Sequence, residues 1–165
     1  RNLIKKVLEL LAGMEKDKYE KFYNEFGKIL KLGIHIDLKN RDKVADLVRY
    51  KTTKSNGRLI SLKEYIDNMK EGQEAIYYIT GDDLSSLINS PSLERLKEKE
   101  YEVLLMTDPI DEWVVQSLPK YREKALKSAE KGDLNLGKID DKKKNEYTAL
   151  FDYIKSRLDS KIKEV

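Results

Sequence analysis

Five carboxylates stand just beyond two apolar segments of the sequence, AIYYIT at 75–80 and EVLLM at 102–106. They are Asp82, Asp83, Asp108, Asp111 and Glu112. Open α/β sheets usually bind ligands at the carboxyl ends of parallel strands, and carboxylate oxygens are suitable ligands for a divalent cation. The pattern therefore permits a small α/β enzyme with a carboxylate-lined site, although carboxylates also occur wherever helices begin.

Other catalytic chemistry finds little support in these residues. A phosphate site needs several glycines so that backbone amides can approach the phosphate, and only Gly81 stands beside Asp82 and Asp83. His35 is the only histidine and cysteine is absent, which excludes a cysteine–histidine dyad and a multi-histidine zinc site. Because no Gly-x-Ser-x-Gly elbow is present either, we interpret His35 as a packing or capping residue.

Trp113 has side-chain chemistry suited to protein recognition. In a helix after residue 108, the inward positions are Ile110, Val114, Val115 and Leu118. Trp113 then lies near the edge of that face, beside Glu112 and one turn from Gln116. A partly exposed tryptophan flanked by polar groups is a frequent anchor of protein-binding surfaces, and an edge tryptophan is also often simple packing. From the residues alone, both interpretations stay open.

Composition limits the class of protein. The 165 residues include 39% hydrophobic and 38% charged side chains, and the net charge of +3 is too small to indicate a nucleic-acid partner. No apolar run is long enough to span a bilayer. The absence of cysteine fits a reducing compartment such as the cytoplasm. Because the chain begins at Arg1 inside a helical pattern, we expect it to be a piece of a longer protein.

Three helices are predicted in the first third of the chain. Apolar residues recur at spacings of three and four over 2–11, 19–30 and 41–49, with Gly13 and Gly33 ending the first two helices. The residues expected to face inward are Leu3, Ile4, Val7, Leu8, Leu11, Tyr19, Phe22, Tyr23, Phe26, Ile29, Leu30, Val44, Leu47 and Val48. Stripes of this kind usually form core, so this part is interpreted as a helical packing module.

The middle of the chain has the pattern of an α/β unit. Ser-Asn-Gly at 55–57 predicts a turn, and Ser61 with Glu64 forms a capping box at the start of a helix. Buried strands are predicted at 75–80 and 102–106, and a third strand at 124–129. Strands that alternate with helices imply a small three-layer α/β/α unit with a mostly parallel sheet.

Two further helices complete the predicted fold. Asp108 is expected to cap a helix that has Pro109 at its first position. The polar stretch 131–141 is interpreted as a linker, and apolar spacing over 147–162 predicts a long final helix. The predicted class is therefore α/β: a helical first part, a small three-layer unit with a mostly parallel sheet, and a long helix at the end.

Eight segments, in order along nearly the whole chain, resemble the middle domain of the ninety-kilodalton heat-shock chaperones. They are KLGIHID at 31–37, LVRY at 47–50, SLKEY at 61–65, EGQEAIYYITG at 71–81, NSP at 89–91, LERL at 93–96, EVL at 102–104 and DPIDE at 108–112. Tryptophan at 113 resembles the bacterial members, known as high-temperature protein G. An ordered match over this length is more specific than any single motif.

The resemblance implies a segment of a homodimeric, ATP-dependent chaperone. Residues 1–50 would be the helical connector of the middle domain, 51–130 its small α/β unit, and 131–165 a linker and helix leading toward the C-terminal dimerisation domain. ATP and magnesium would bind outside this chain, and the loop with the catalytic arginine would precede Arg1. The fragment itself would therefore contain no catalytic, cofactor-binding or metal-ligating residue and would not be an enzyme.

The resemblance also implies partners, a location and a site. Partners would be non-native client proteins, the protein's own N-terminal ATPase and C-terminal dimerisation domains, and other chaperones, without nucleic acid or membrane, in the cytoplasm. In bacterial members the Glu-Trp segment lies on a client-contacting surface, which makes Glu112, Trp113 and Gln116 the candidate client-binding residues. The alternative is a free-standing small α/β enzyme with the carboxylate-lined site.

Three residues depart from the family pattern. Glu100 and Glu123 stand where the family often has glycine, and Pro119 follows the tryptophan helix. We expect these differences to affect local loop shape.

Overall fold

The computed structural model describes residues 2–131 together with Leu134, Tyr153 and Arg157. The chain divides into a compact unit over residues 1–134 and a second unit over 135–165. Most of the predicted long helix at 147–162 and of the linker at 131–141 lies outside the described residues. Those two elements therefore stay predictions, and so does the division at 50 and 130. In the described part of the chain, no helix combines the length and apolar character that a bilayer crossing needs.

Three helices open the chain: α1 at Asn2–Ala12, α2 at Lys16–Ile36 and α3 at Arg41–Ala45. Gly13 follows α1 as predicted. The prediction that Gly33 ends α2 was wrong, because the helix continues for another turn. A Cβ atom at Gly33 would lie 3.4 Å from a methyl group of Val44, so this glycine allows α3 to pack closely on α2.

The apolar stripes of α1 and α2 are only partly buried. Leu8, Leu11, Tyr19 and Tyr23 are buried as predicted. Other residues predicted to face inward are exposed, namely Leu3, Ile4, Val7, Phe26 and Ile29. Helical spacing identifies an apolar face but contains no information about what lies against it. The predicted helices are therefore confirmed, while the predicted burial of their stripes was wrong at these five positions.

Six strands form one mixed sheet in the order β2-β1-β4-β3-β6-β5. The strands are β1 at Arg49–Thr52, β2 at Ile60–Ser61, β3 at Ala75–Thr80, β4 at Val103–Met106, β5 at Lys120–Tyr121 and β6 at Lys124–Ser128. Central strand β3 runs parallel to both neighbours, with Tyr78 opposite Leu104 of β4 and Ser128 of β6. Antiparallel strands flank this parallel centre on both sides. The predicted α/β class and its three parallel strands are confirmed.

Strands β1, β2 and β5 were not predicted from the sequence. The third helix was expected to reach Arg49, but strand β1 begins at this residue and pairs antiparallel with β4. Strands β2 and β5 have two residues each, too few for a period of two to be recognised. The residues Val44, Leu47 and Val48 are buried although only the first lies in a helix.

Residues 49–131, which contain the sheet, are called the sheet unit below. Short helices connect its strands: α4 at Leu62–Asp67, α5 at Leu84–Ile88, a 3₁₀ turn at Pro91–Leu93, α6 at Glu94–Glu98 and α7 at Asp111–Ser117. The predicted capping box is confirmed. The Glu64 amide donates to Oγ of Ser61 over 3.0 Å, and the Ser61 amide donates to Oε2 of Glu64 over 2.7 Å. The predicted turn is also confirmed, with positive φ at Asn56 and Gly57.

A buried tyrosine joins α4 to the two central strands. The hydroxyl of Tyr65 accepts hydrogen bonds from the Tyr77 amide and from Nε2 of Gln73, each over 3.0 Å, and donates one to the carbonyl of Glu102. Tyr65 is fully buried. These hydrogen bonds offset the cost of removing the Tyr65 hydroxyl from water, and they fix α4 over the sheet.

Two departures from the family pattern coincide with unusual backbone conformation. Glu100 has φ 53° and Glu123 has φ 65°. This left-handed region strongly favours glycine, because a Cβ atom crowds the backbone there. The loops thus keep the conformation that glycine would adopt easily, and the two glutamates are strained in it.

Candidate protein-binding site

Trp113 lies on the exposed side of α7, the helix that follows β4. The positions buried along this segment are Asp111, Val114 and Leu118, which recur at spacings of three and four. The three candidate client-binding residues, Glu112, Trp113 and Gln116, are all exposed. Trp113 leaves 53% of its surface accessible. The structure therefore gathers the three residues on one solvent-facing side of a short helix.

The predicted start of this helix was wrong by two residues. Asp108 does not cap α7 and Pro109 is not its first residue, since the helix begins at Asp111. The Asp111 amide instead donates to the backbone carbonyl of Asp108 over 2.8 Å. The Asp108 carboxylate binds Lys31 of α2.

A buried ion cluster lies at the start of α7. Lys31 donates from Nζ to Oδ2 of Asp108 over 2.7 Å and to Oδ2 of Asp111 over 3.0 Å, and its Nζ lies 2.8 Å from Oδ1 of Asp111. Lys31 is 5% exposed and Asp111 is fully buried. At the solvent side, Lys28 lies 3.3 Å from Oδ1 of Asp108. The Lys31 ammonium also lies 4.7 Å from the ring centre of Tyr50.

Burial and charge act in opposite directions on the two carboxyl groups. Burial raises the pKa of Asp111 above its usual range, although Lys31 opposes this shift. Burial also disfavours the ionised form of Asp108, but hydrogen bonds and charges from Lys31 and Lys28 outweigh it and lower the pKa. Asp108 is therefore the firmly ionised partner of Lys31.

His35 contacts Trp113 from α2. The two rings meet edge to face, with centroids 4.8 Å apart and planes at 83°. Nδ1 of His35 lies 2.8 Å from Oγ of Ser117, within hydrogen-bond distance. Edge-to-face geometry places the positive ring edge of one aromatic group against the negative face of the other. His35 therefore has a packing role, as its isolation in the sequence suggested, and the ring that it packs against is the indole.

Sequence reasoning did not connect Lys31 or His35 with Trp113. One signal was present: Lys31 falls on the buried face of α2, between Gly27 and Ile34. A lysine is almost never fully buried without a partner, so this position predicted a carboxylate nearby. Which carboxylate it binds depends on the tertiary packing of α2 against α7.

Three of the five carboxylates at the strand ends already have partners within the chain. Asp83 caps α5 and accepts hydrogen bonds from Oγ of Ser85 over 2.6 Å and from the Ser86 amide over 2.9 Å. Hydrogen bonds from Ser85 and then Ser86 lower the pKa of Asp83 well below its usual range. Asp108 and Asp111 bind Lys31 instead. Among the described residues, no three metal-binding side chains come together.

The turn after β3 also lacks the features of a phosphate site. A Cβ atom at Gly81 would lie 2.8 Å from Cδ2 of Leu87, so this glycine allows the side chain of Leu87 in α5 to pack closely on the turn. The amide at the start of α5 is already bound by the Asp83 carboxylate. An anion would therefore meet a negative charge where it needs free amides. The alternative of a small α/β enzyme is not supported.

Comparisons with known proteins agree with the order of the motifs. The Hsp90 protein family matches residues 1–165. A chaperone protein HtpG from Geobacter sulfurreducens is 44% identical over 178 residues, which cover 100% of this chain and 27% of that protein. A chaperone protein HtpG from Francisella tularensis subsp. novicida is 46% identical over 135 residues, covering 81% of this chain and 22% of that protein. The chain thus spans about a quarter of these relatives.

A solved structure places the likeness in one domain. The middle domain of a Plasmodium falciparum heat shock protein matches with a TM-score of 0.76 and 38% sequence identity, over 79% of this chain and 56% of that chain. The bacterial resemblance expected from Trp113 agrees with the HtpG relatives. The chain therefore belongs to the Hsp90 protein family, and its fold matches that of a heat-shock-protein middle domain.

Proposed function

We propose that this chain is a client-binding segment of the middle domain of an ATP-dependent chaperone. In this proposal Glu112, Trp113 and Gln116 contact non-native proteins. The indole supplies apolar contact area, and the carboxylate and amide form a polar rim around it. Such a surface suits weak binding of many exposed apolar segments, because the ring has few rotatable bonds and needs little sequence-specific geometry.

The exposure of Trp113 carries this proposal. Within residues 49–131, the large hydrophobic side chains that are exposed are Ile88, at 39%, and Trp113, at 53%. The other large apolar residues of this unit are buried or half-buried, so a general shortage of polar surface does not explain an exposed tryptophan there. HtpG relatives are described as chaperone proteins, which supports a protein partner for this surface.

The activity of the whole protein is part of the same proposal. ATP and magnesium would bind in an N-terminal ATPase domain and dimerisation would occur in a C-terminal domain, both outside residues 1–165. Other chaperones would be further partners, and the location would be the cytoplasm. Two features of the turn after β3 support a nucleotide site elsewhere: it has a single glycine, Gly81, and the Asp83 carboxylate accepts from the Ser86 amide at the start of α5. Calorimetry of the chain with ATP and magnesium is then expected to detect no micromolar binding.

Substitution of Trp113 tests the client site directly. Binding to a permanently unfolded probe, fluorescein-labelled reduced carboxymethylated α-lactalbumin, is measured by fluorescence anisotropy. Trp113→Ala is expected to weaken binding about tenfold, the usual effect of removing a central aromatic anchor. Ile88→Ala is the matched control, since it removes an exposed apolar side chain from α5 of the same unit. Equal affinities for wild type and a folded Trp113→Ala variant would contradict the proposal.

A further inference from the structure

The arrangement of α2 against α7 shows how Trp113 is held. Lys31 and His35 are one helical turn apart on α2, so their side chains leave the same face of that helix. Lys31 binds the first residue of α7, Asp111, and His35 contacts Trp113 and Ser117 further along. Two successive turns of α2 thus contact two successive turns of α7.

The contact of Lys31 with Asp108 and Asp111 depends on the orientation of α7. The single ammonium of Lys31 binds Asp108, before α7, and Asp111, at its first position. The Asp108 amide closes the group by donating to Oδ2 of Asp111 over 3.2 Å. A rotation of α7 about its axis would move Asp111 away from Lys31 and leave a buried carboxylate without its cation. Because an unpaired buried charge is strongly unfavourable, the cluster permits one rotational setting of the helix.

Stability alone does not account for these charges. Burying a lysine and an aspartate removes both from water, and apolar groups of similar size in such a place often give equal or greater stability. What charges add is a fixed geometry. The contact of His35 with the indole of Trp113 also depends on geometry, because the two rings pack edge to face.

We infer that Lys31 and His35 are positioning residues that fix the orientation in which α7 presents Trp113 to solvent. Neither residue needs to touch a bound protein. Their effect on client affinity rests on the proposed function of Trp113, whereas their effect on the orientation of the indole does not. The two consequences are therefore measured separately.

A change in the orientation of the indole changes how accessible the ring is to a quencher in solution. Fluorescence measures this accessibility for Trp113 alone, because it is the only tryptophan in the chain. The test variant is Lys31→Met, which keeps the length of the side chain and removes the charge. Acrylamide quenching of Trp113 is expected to rise, by about twofold at most because the ring already exposes 53% of its surface. Lys21→Met is the matched control: it removes one charge from an exposed position of α2 and is expected to leave quenching unchanged.

A second variant covers the case in which Lys31→Met does not fold. The triple variant Lys31→Met, Asp108→Asn, Asp111→Asn removes all three charges together, so no buried charge is left unpaired. It is expected to fold, as judged by circular dichroism, and to show the same rise in quenching. Unchanged quenching in a folded variant overturns the inference.

Client affinity separates this inference from the proposed function. Lys31→Met is expected to weaken binding of the unfolded α-lactalbumin probe about fivefold, the lower end of typical coupling between two sites. Increased quenching in Lys31→Met, together with unchanged probe affinity in both Lys31→Met and Trp113→Ala, would support the positioning role and contradict the client-binding proposal. Unchanged quenching, together with lost affinity in Trp113→Ala, would do the reverse.

Discussion

The two regions of the described structure differ in how they treat apolar side chains. Residues 2–38 expose nine large ones: Leu3, Ile4, Val7, Leu10, Phe26, Ile29, Leu32, Ile36 and Leu38. Residues 49–131, which contain the sheet, expose Ile88 and Trp113. An exposed apolar residue is informative only against its surroundings. In the sheet unit the exposed indole is an exception that points to binding, whereas in the helices exposure follows a continuous stripe.

Backbone strain shows the opposite distribution. Among the described residues, the non-glycine residues with positive φ all lie in the sheet unit: Asn56, Glu100, Arg122 and Glu123. These residues lie in tight turns that lead into strands, whereas regular helices such as α1 and α2 need no positive φ. The sheet unit therefore combines a closed core with local strain in its loops, and the helices combine relaxed backbone with an open apolar face.

The strongest way to break this comparison is one substitution made in both regions. Ile76→Ala in β3 removes a fully buried side chain and is expected to lower the free energy of unfolding by about 3 kcal/mol. Ile29→Ala in α2 removes a side chain that is 64% exposed and is expected to change it by less than about 0.5 kcal/mol. Urea denaturation followed by circular dichroism measures both.

Equal losses from these two variants would show that the α2 stripe is buried in solution, and the contrast between the regions would then be false. A small loss from Ile76→Ala would instead show that the central strand is not core. Both measurements concern the stability of the chain alone, so their interpretation does not depend on which protein binds the exposed surfaces.

Alkaline pH probes the contact between the helices and the sheet unit. Tyr19 donates a hydrogen bond to the carbonyl of Leu47, and Tyr23 donates one to the carbonyl of Arg49 over 2.8 Å. Burial raises the pKa of Tyr19 to about 12, and it raises that of Tyr23 further. Both phenols therefore stay neutral in the folded chain at a pH where they ionise in the unfolded chain.

The direction in which stability changes with pH follows from which state of the chain releases phenolic protons first. Above about pH 10 the unfolded chain loses phenolic protons that the folded chain retains, so stability falls as pH rises. Each such tyrosine contributes a slope of about 1.4 kcal/mol per pH unit, and the Tyr19 contribution extends to about pH 12. Urea denaturation between pH 9 and 11 is expected to show a shallower decline for Tyr19→Phe than for wild type. An identical slope would mean that Tyr19 is not buried.

The sequence predicted those parts of the fold that depend on local pattern. The capping box at Ser61, the strands at 75–80 and 102–106, and the helix that carries Trp113 all follow from nearby residues. Strand β1 could not be predicted in this way, since its pairing partner β4 lies about fifty residues away. The burial of α1 and α2 failed for the same reason: spacing defines a face, and contact with other elements decides whether it is covered.

In the candidate site, too, the sequence predicted what depends on nearby residues and not what depends on distant contacts. Trp113 was predicted to lie near the edge of the inward face of its helix, and the structure shows that this residue is 53% exposed. Its packing against His35 and the cluster at Lys31 join residues about eighty positions apart, which no local pattern contains. The resemblance supplied a role for Glu112, Trp113 and Gln116, and that role stays a prediction until client binding is measured.

A smaller effect is expected where the sheet unit depends on a local cap. In Ser61→Ala the Glu64 amide loses its acceptor at the start of α4. The expected loss is about 1 kcal/mol in the free energy of unfolding, typical of a removed N-cap. Thermal denaturation measures it, with Ser92→Ala as control, because Ser92 lies on the 3₁₀ turn and caps no helix. No loss would indicate that water replaces the hydroxyl group.

The smallest effect concerns the strained loop before β6, and its expected sign is stabilising. Glycine at position 123 relieves the left-handed strain of Glu123, whose φ is 65°. Its ion pair with Lys120, at 3.5 Å, is exposed and contributes little. Glycine also increases the entropy of the unfolded chain, which offsets part of the gain. The net effect of Glu123→Gly is expected to be about 0.5 kcal/mol of added stability.

The matched control is Glu94→Gly, which makes the same glutamate-to-glycine change but is expected to lower stability instead of raising it. Glu94 has φ −56° at the start of α6, so Glu94→Gly relieves no strain and is expected to destabilise the chain by about 1 kcal/mol. Parallel urea denaturation of the two variants cancels any general effect of losing a glutamate. Opposite signs would locate the strain in the backbone of the sheet-unit loop. Destabilisation by both variants would mean that residue 123 is not held in a left-handed conformation, and the contrast in backbone strain between the two regions would be lost there.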